Sequence, residues 1–278
     1  MLPFDNKSEF QVVVDMPAGT PLERTSSTLH EMGAYLATVP ETATYQAYAG
    51  LSAPINFNGL VRQYYLRAGS NVGDIQVNLV DQSQRRRQSH AIATAVRPML
   101  EQIAARNGAR VKVVEVPPGP PVLAPIVAEV YGAGEAQRNA VAHEVRNVFA
   151  STAGVVDVDD STVAAAPQTD FELDRRRAGL LGVSQRDVAQ TLRAGLTGND
   201  VTYLRDGSKY PAAVRLVLPA TLGSDASALL ALAVRGSQGQ LVPLSALVRE
   251  RETRVEQPIY HKDLLPVTYV VGDMAGKV

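Results

Sequence analysis

The chain has 278 residues, enough for two or three domains. Its 27 Lys and Arg nearly balance 28 Asp and Glu, which argues against a nucleic-acid or anionic-membrane binder, and the lack of any Cys excludes disulfides and thiol catalysis. A hydrophobic fraction of 45% supports a packed core, yet no run approaches the ~20 apolar residues of a membrane span. No signal peptide opens the chain, and Met1-Leu-Pro-Phe-Asp leading straight to a strand reads as a start added to an excised piece.

Glu9 to Met16 (EFQVVVDM) alternates as a strand. Thr20 is placed to cap a helix over 21–38, with Pro21 at its first position and Leu22, Leu29, Met32 and Leu36 near helical spacing. Thr42 to Ala49 has strand composition. The stretch Gly50 to Gly73 is rich in Gly, Pro and Asn and reads as a long loop, with a possible short strand over Val61 to Leu66. Asp74 to Val80 is a strand. Ser83 caps a helix running through Arg106 with Ile92, Val96, Leu100 and Ile103 on one side and a kink expected at Pro98, and Arg110 to Val116 is a strand. The order β-α-β-β-α-β is the ferredoxin-like split βαβ pattern, with four antiparallel strands and both helices on one face.

Pro117-Pro118-Gly119-Pro120-Pro121 is a stiff connector, after which the pattern restarts. Pro125 to Tyr131 is a strand, Glu135 to Thr152 a helix with Val141, Val145 and Val148 toward the core, and Val155 to Val158 a strand. The second unit is then interrupted. Asp174 to Val188 ends one helix at Gly182, suited to a left-handed exit, and starts another at Ser184 with Asp187 three positions on. A hairpin follows over Val201 to Leu204 and Ala212 to Leu218 around Asp206-Gly207, then a short helix over 226–232 and strands over 232–235 and 247–254. Ile259 to His261, a Lys262-Asp263 turn and Pro266 to Gly272 return to the interrupted sheet, which lacks the helix and last strand that would complete it.

Three segments carry a resemblance. Asp174-Arg-Arg-Arg-Ala-Gly-Leu-Leu-Gly-Val-Ser-Gln-Arg-Asp-Val188 resembles a D-R-x-x-A-x-x-L-G-[VL]-[ST]-x-x-D-V pattern with one additional Arg; Gly239-Gln-Leu-Val-Pro-Leu-Ser245 matches G-x-x-V-P-L-S; and Phe10 to Thr20 matches a strand entering a porter domain. In this order they resemble the second large periplasmic loop of a resistance-nodulation-division (RND) efflux transporter of the multidrug type. The resemblance implies an α+β fold with a first porter subdomain over 1–120, an incomplete second one over 121–166 and 256–278, and an inserted docking subdomain over 167–255. It further implies a homotrimer in a bacterial inner membrane with this part on the periplasmic side. Proton drive would come from membrane helices lying elsewhere, and the partners would be a periplasmic adaptor and an outer-membrane channel.

In that family the 50–73 loop separates two substrate pockets, which places Ile55, Phe57, Leu60 and, more weakly, Tyr64 against an amphiphilic small molecule; packing of these side chains on their own sheet is the competing reading. Met16 stands where the metal-exporting branch has a ligand, but a soft site needs more than one thioether, so no metal site is expected. The scattered His30, His90, His143 and His261, and the runs Arg85 to Arg87 and Arg175 to Arg177, read as surface features. With no catalytic constellation, P-loop or G-x-G-x-x-G, the chain is expected to be neither an enzyme nor a cofactor binder. The alternative function is a soluble small-ligand-binding or regulatory module of paired ferredoxin-like domains.

Overall fold

The computed structural model describes residues 5–54, 56–116, 122–162, 166–219, 226–256 and 258–274, apart from the side chains of Phe57 and Asn58. The chain forms two compact units: residues Met1–Ala166 together with Glu256–Val278, and Pro167–Val255.

The first unit opens with β1 (Glu9–Asp15), α1 (Leu22–Leu36), β2 (Thr42–Leu51), the short α2 (Phe57–Val61), β3 (Ala68–Leu79), α3 (Ser89–Asn107) and β4 (Arg110–Val114). The strands form one antiparallel sheet in the order β2-β3-β1-β4, which is the ferredoxin-like arrangement. Strand alternation decides which side packs. Phe10, Val12, Val14 and Met16 face the helices with Ile75, Val77, Leu79 and Val113, against Leu29, Met32 and Leu36 of α1 and Ile92, Val96, Leu100 and Ile103 of α3.

Capping differs from the sequence expectation at both helices. Thr20 does not cap α1; its hydroxyl donates to the Pro17 carbonyl at 2.6 Å, and Pro21 is the capping residue. Ser83 does not start α3 either. Its amide and hydroxyl donate to the Asp81 carboxylate, closing a 3-10 turn over Gln82–Gln84, and the helix begins at Ser89, whose amide donates to Asn6 Oδ1 at 3.0 Å. A remote side chain thus supplies the cap. The helix runs through Pro98 and ends at Gly108 with φ 69°. The expected strand at 61–66 is instead the end of α2 and a 3-10 turn over Tyr64–Leu66, and β3 begins at Ala68, which shortens the predicted loop.

The same pattern recurs in β5 (Ile126–Tyr131), α4 (Glu135–Ser151) and β6 (Val155–Asp160), joined after the interruption by β13 (Tyr260–Lys262) and β14 (Leu265–Met274). Strand β14 pairs antiparallel with β5 along one edge and with β13 and then β6 along the other, so β5-α4-β6 is again split by a returning strand. On α4, Val141 and Val148 are exposed and Val145 is half-buried; the buried positions are Arg138 and Ala142. Ala142 lets the helix approach the sheet closely, which rotates the valines outward.

The second unit comprises β7 (Pro167–Leu173), α5 (Arg175–Leu180), α6 (Gln185–Thr197), β8 (Asn199–Leu204), β9 (Ala212–Leu216), α7 (Ala226–Leu230), β10 (Ala233–Arg235), β11 (Leu241–Pro243) and β12 (Val248–Arg254). Its strands pair two by two: β7 with β12, β8 with β9, β10 with β11. Gly182 has φ 64°, and Ser184 accepts from the Asp187 amide at 3.1 Å, so the bend is a left-handed exit followed by a capped start. Ser237 N donates to the Gly182 carbonyl at 3.0 Å and Gln240 Nε2 to the Leu181 carbonyl at 2.8 Å. Leu244 and Leu247 join Ala178, Val183 and Val188 in the unit's core. The two sequence motifs of this region therefore meet in space.

The β13–β14 hairpin turns on Asp263 and Leu264, with φ of 50° and 66°. Two left-handed residues define a type I′ turn, which suits glycine at the second position. Leu264 is 93% exposed, so its side chain contributes no packing while its backbone is strained. Leu264→Gly is expected to stabilise the chain by about 1 kcal/mol, read as an upward shift of the urea unfolding midpoint.

Candidate functional site

The face of the first sheet turned away from α1 and α3 is polar. It carries Gln11 and Asp15 of β1, Asp74 and Gln76 of β3 and Lys112 of β4, yet Gln11 and Asp74 are almost fully buried. Buried charge is tolerable only when paired and hydrogen-bonded. The segment between β2 and β3 meets that need. The Ala53 amide and Gln11 Nε2 each donate to Asp74 Oδ2 at 2.9 Å, Asn56 Nδ2 donates to Gln76 Oε1 at 3.0 Å, and Arg67 bridges Asp74 and Asp15 at 2.6 Å each while donating to the Val14 carbonyl at 2.9 Å.

Along the edge formed by β4 and the first half of α3, the first sheet meets the second through ion pairs sorted by sign. Arg62 pairs with Asp273 of β14 at 2.9 Å, Arg97 of α3 with Asp157 of β6 at 2.5 Å, and Lys112 with Asp159 of β6. Arg110 adds a longer contact to Asp159 at 3.7 Å. Every cation comes from the first sheet's side and every anion from the second. Asp157 has φ 52°, uncommon for a non-glycine residue within a strand, and the β6–β14 register shifts opposite it. The shift breaks simple alternation, so Asp157 and Asp159 reach partners on two different elements.

A hollow of about 10 Å³ lies on this seam, lined by His90, Arg97, Glu115 and Asp273 among others, with His90 Nδ1 at 2.6 Å from Glu115. Burial pushes the Glu115 and Asp157 carboxyls above their ordinary range, more than His90 and Arg97 pull them down, and it raises Asp74 likewise against Arg67. Asp15 goes the other way. Burial pushes it up, but Arg67, Lys112 and Arg110 together hold it below its usual value. Lys112 would be lowered by burial; Tyr64, Asp159 and Asp15 raise it, so it stays charged.

Of the residues predicted to touch substrate, Tyr64 is half-buried at the seam, with the Arg67 guanidinium 5.8 Å from its ring centroid and electrostatic contacts to Arg62 and Lys112. Leu60 is 56% exposed on α2. Phe57 begins α2, its side chain lying outside the described residues, as does all of Ile55. Met16 is buried in the first core. His90 is no simple surface residue, given its contact to Glu115, and Arg87 of the first arginine run holds Glu41 through two hydrogen bonds of 2.7 and 2.5 Å.

The AcrB/AcrD/AcrF family model matches residues 1–278. The chain belongs to this family. Two X-ray crystal structures of a heavy metal efflux pump share its fold over 99% of the chain, with TM-scores of 0.69 and 0.70 at 19% and 18% identity. The chain spans 28% of the length of each. No curated protein matches it by sequence. At such identities the likeness to the pump establishes the shared α+β fold of this AcrB/AcrD/AcrF member and nothing of what it carries.

Two expectations follow from the seam. Arg62 and Asp273 are both buried, so Arg62→Ala strands a carboxylate and is expected to cost about 3–5 kcal/mol, whereas an Arg62→Met, Asp273→Leu double variant recovers most of that loss in urea unfolding. The second concerns pH. Asp74, Glu115 and Asp157, with raised values, bind protons more readily folded than unfolded, so their contribution is present at low pH and lost as pH rises through those values. Asp15 contributes with opposite sign, lost as pH falls through its lowered value. Stability from these groups is expected to peak near the unfolded carboxylate value, about pH 4. Glu115→Gln with Asp157→Asn flattens the rise toward that peak, and Asp15→Asn softens the acid limb, both read from unfolding midpoints across pH.

Proposed function

We propose that the chain is the porter and docking portion of a proton-driven RND efflux transporter that exports drugs or other amphiphilic small molecules. Its support is the sorting of charge at the seam: two rigid ferredoxin-like sheets joined by ion pairs rather than by a shared apolar core can separate and rejoin. Opening would expose a cleft with cations on one wall and anions on the other, and closing would re-form the pairs and expel its contents. The strap between β2 and β3 lies beside this cleft. It presents Leu60, Tyr65 and Leu66 as exposed apolar surface, and in this reading they meet the substrate together with Ile55, Phe57 and Tyr64.

The intact transporter would be a homotrimer in the bacterial inner membrane, working with a periplasmic adaptor and an outer-membrane channel. Residues Pro167–Val255 would form the docking part. Among the described residues no helix is long and apolar enough to cross a membrane, so the proton pathway would be supplied by other segments. The chain would do no covalent chemistry. Organic rather than soft-metal cargo is favoured by the methionines: Met16 and Met32 are buried within the first core, and Met274, which lines the seam hollow, has no second thioether beside it among the described lining residues, whereas a soft site needs more than one.

The test uses the full-length gene in a host lacking its own exporters, with the only cysteines placed at 112 and 159. Joining them with a short bis-methanethiosulfonate linker, which forms a reducible disulfide with each thiol as methanesulfinate leaves, is expected to stop export of an amphiphilic dye, and reduction to restore it. Unchanged export in the linked protein would sink the hinge reading. Gained tolerance to copper or zinc without dye export would sink the assignment of cargo.

A further inference from the structure

Arg138 is the anomaly of the second sheet. It is only 6% exposed, in the first turns of α4, and among the described residues it has no ion-pair partner. Its Nη1 donates to the Gly132 carbonyl at 2.5 Å, while its Nε–H is buried with no acceptor. Arg62 and Arg97 also bury an Nε–H without an acceptor, but each is matched by a carboxylate, Asp273 and Asp157. Here no carboxylate among the described residues lies within ion-pair distance, Glu135 lining the hollow without reaching the guanidinium.

Beside it lies a hollow of about 20 Å³, lined by Arg138, Asn139, Ser161, Tyr260 and Thr268. Its lining is rich in unspent donors. Thr268 Oγ1 donates to Asn139 Oδ1 at 3.0 Å, leaving the Asn139 amide hydrogens available. Ser161 Oγ accepts from the Tyr269 amide at 3.0 Å, leaving its own hydrogen free to donate. Helix α4 starts at Gly134 without a side-chain cap, and Glu135, Arg138 and Asn139 of its first turns line the hollow. Side-chain donors and an unpaired cation converge on one small space, the chemistry an anion site needs.

We infer that this hollow binds one small monoanion, either a halide or the carboxylate end of an organic acid. Charge narrows the choice. One unpaired guanidinium balances one negative charge and not the two of sulfate or phosphate. Glu135, exposed and also lining the hollow, weighs further against a dianion.

The test is a titration of the 278-residue chain with sodium chloride, sodium acetate or sodium sulfate at constant ionic strength, following the Arg138 Nε–H resonance. A saturable shift with chloride or acetate and none with sulfate is expected. In parallel, Arg138→Met should lose the chloride- or acetate-dependent rise in thermal unfolding midpoint, and Asn139→Ala should weaken it about tenfold. An Nε–H signal that none of the salts moves, or that drifts linearly with all three, overturns the site and leaves a bridging water in its place. So does an Arg138→Met variant that keeps the salt-dependent rise; if that variant fails to fold, the wild-type titration decides alone.

Discussion

A sheet that buries charge on one face must find partners for it, and the first sheet of this chain lives under that constraint. Asp74 has no exposed surface, and Asp15 and Lys112 are half-buried beside it. Arg67 answers two of these groups at once, and the Ala53 amide and Gln11 complete the set around Asp74. The path of residues 52–54 and 56–67 is therefore not that of a free loop. It is drawn across the sheet by the groups it must satisfy, and Arg62, five residues before Arg67, ties the same segment to the second sheet. Strap, sheet and seam share one network, so a change in any of them is felt by the others.

Much of the architecture was legible in residue patterns because it depends on local periodicity. Phe10, Val12 and Val14 alternate, and Ile92, Val96, Leu100 and Ile103 recur at helical spacing; both sets are where the core forms. The helix starts depart from the residue pattern because Thr20 and Ser83 are engaged by Pro17 and Asp81, and because the cap of α3 is Asn6, far back in the chain. Val141 and Val148 look apolar enough for a core, but the small Ala142 decides which side of α4 sits on the sheet.

The seam was less legible. Arg62 and Asp273 are 211 positions apart, and nothing local marks either as a partner of the other. One signal was present: Arg110 and Lys112 alternate on β4 as Asp157 and Asp159 do on β6, two short rows of opposite sign at period two. Such rows suggest strands that meet a charged neighbour rather than water. In the second unit, by contrast, the segments quoted for family resemblance proved to be neighbours, Gly182 and Leu181 being held by Ser237 and Gln240. They were informative as a pair because they are in contact.

Asp157 combines two demands that rarely fall on one residue. Its φ of 52° favours glycine or asparagine, while its contact with Arg97 requires a carboxylate. Glutamate would keep the charge and resist the backbone; glycine would accept the backbone and remove the charge; asparagine would keep the shape and leave the cation without a counter-ion. The twenty-letter alphabet thus offers this position almost no neutral neighbour. The junction between the two sheets is, at that point, written in a single letter.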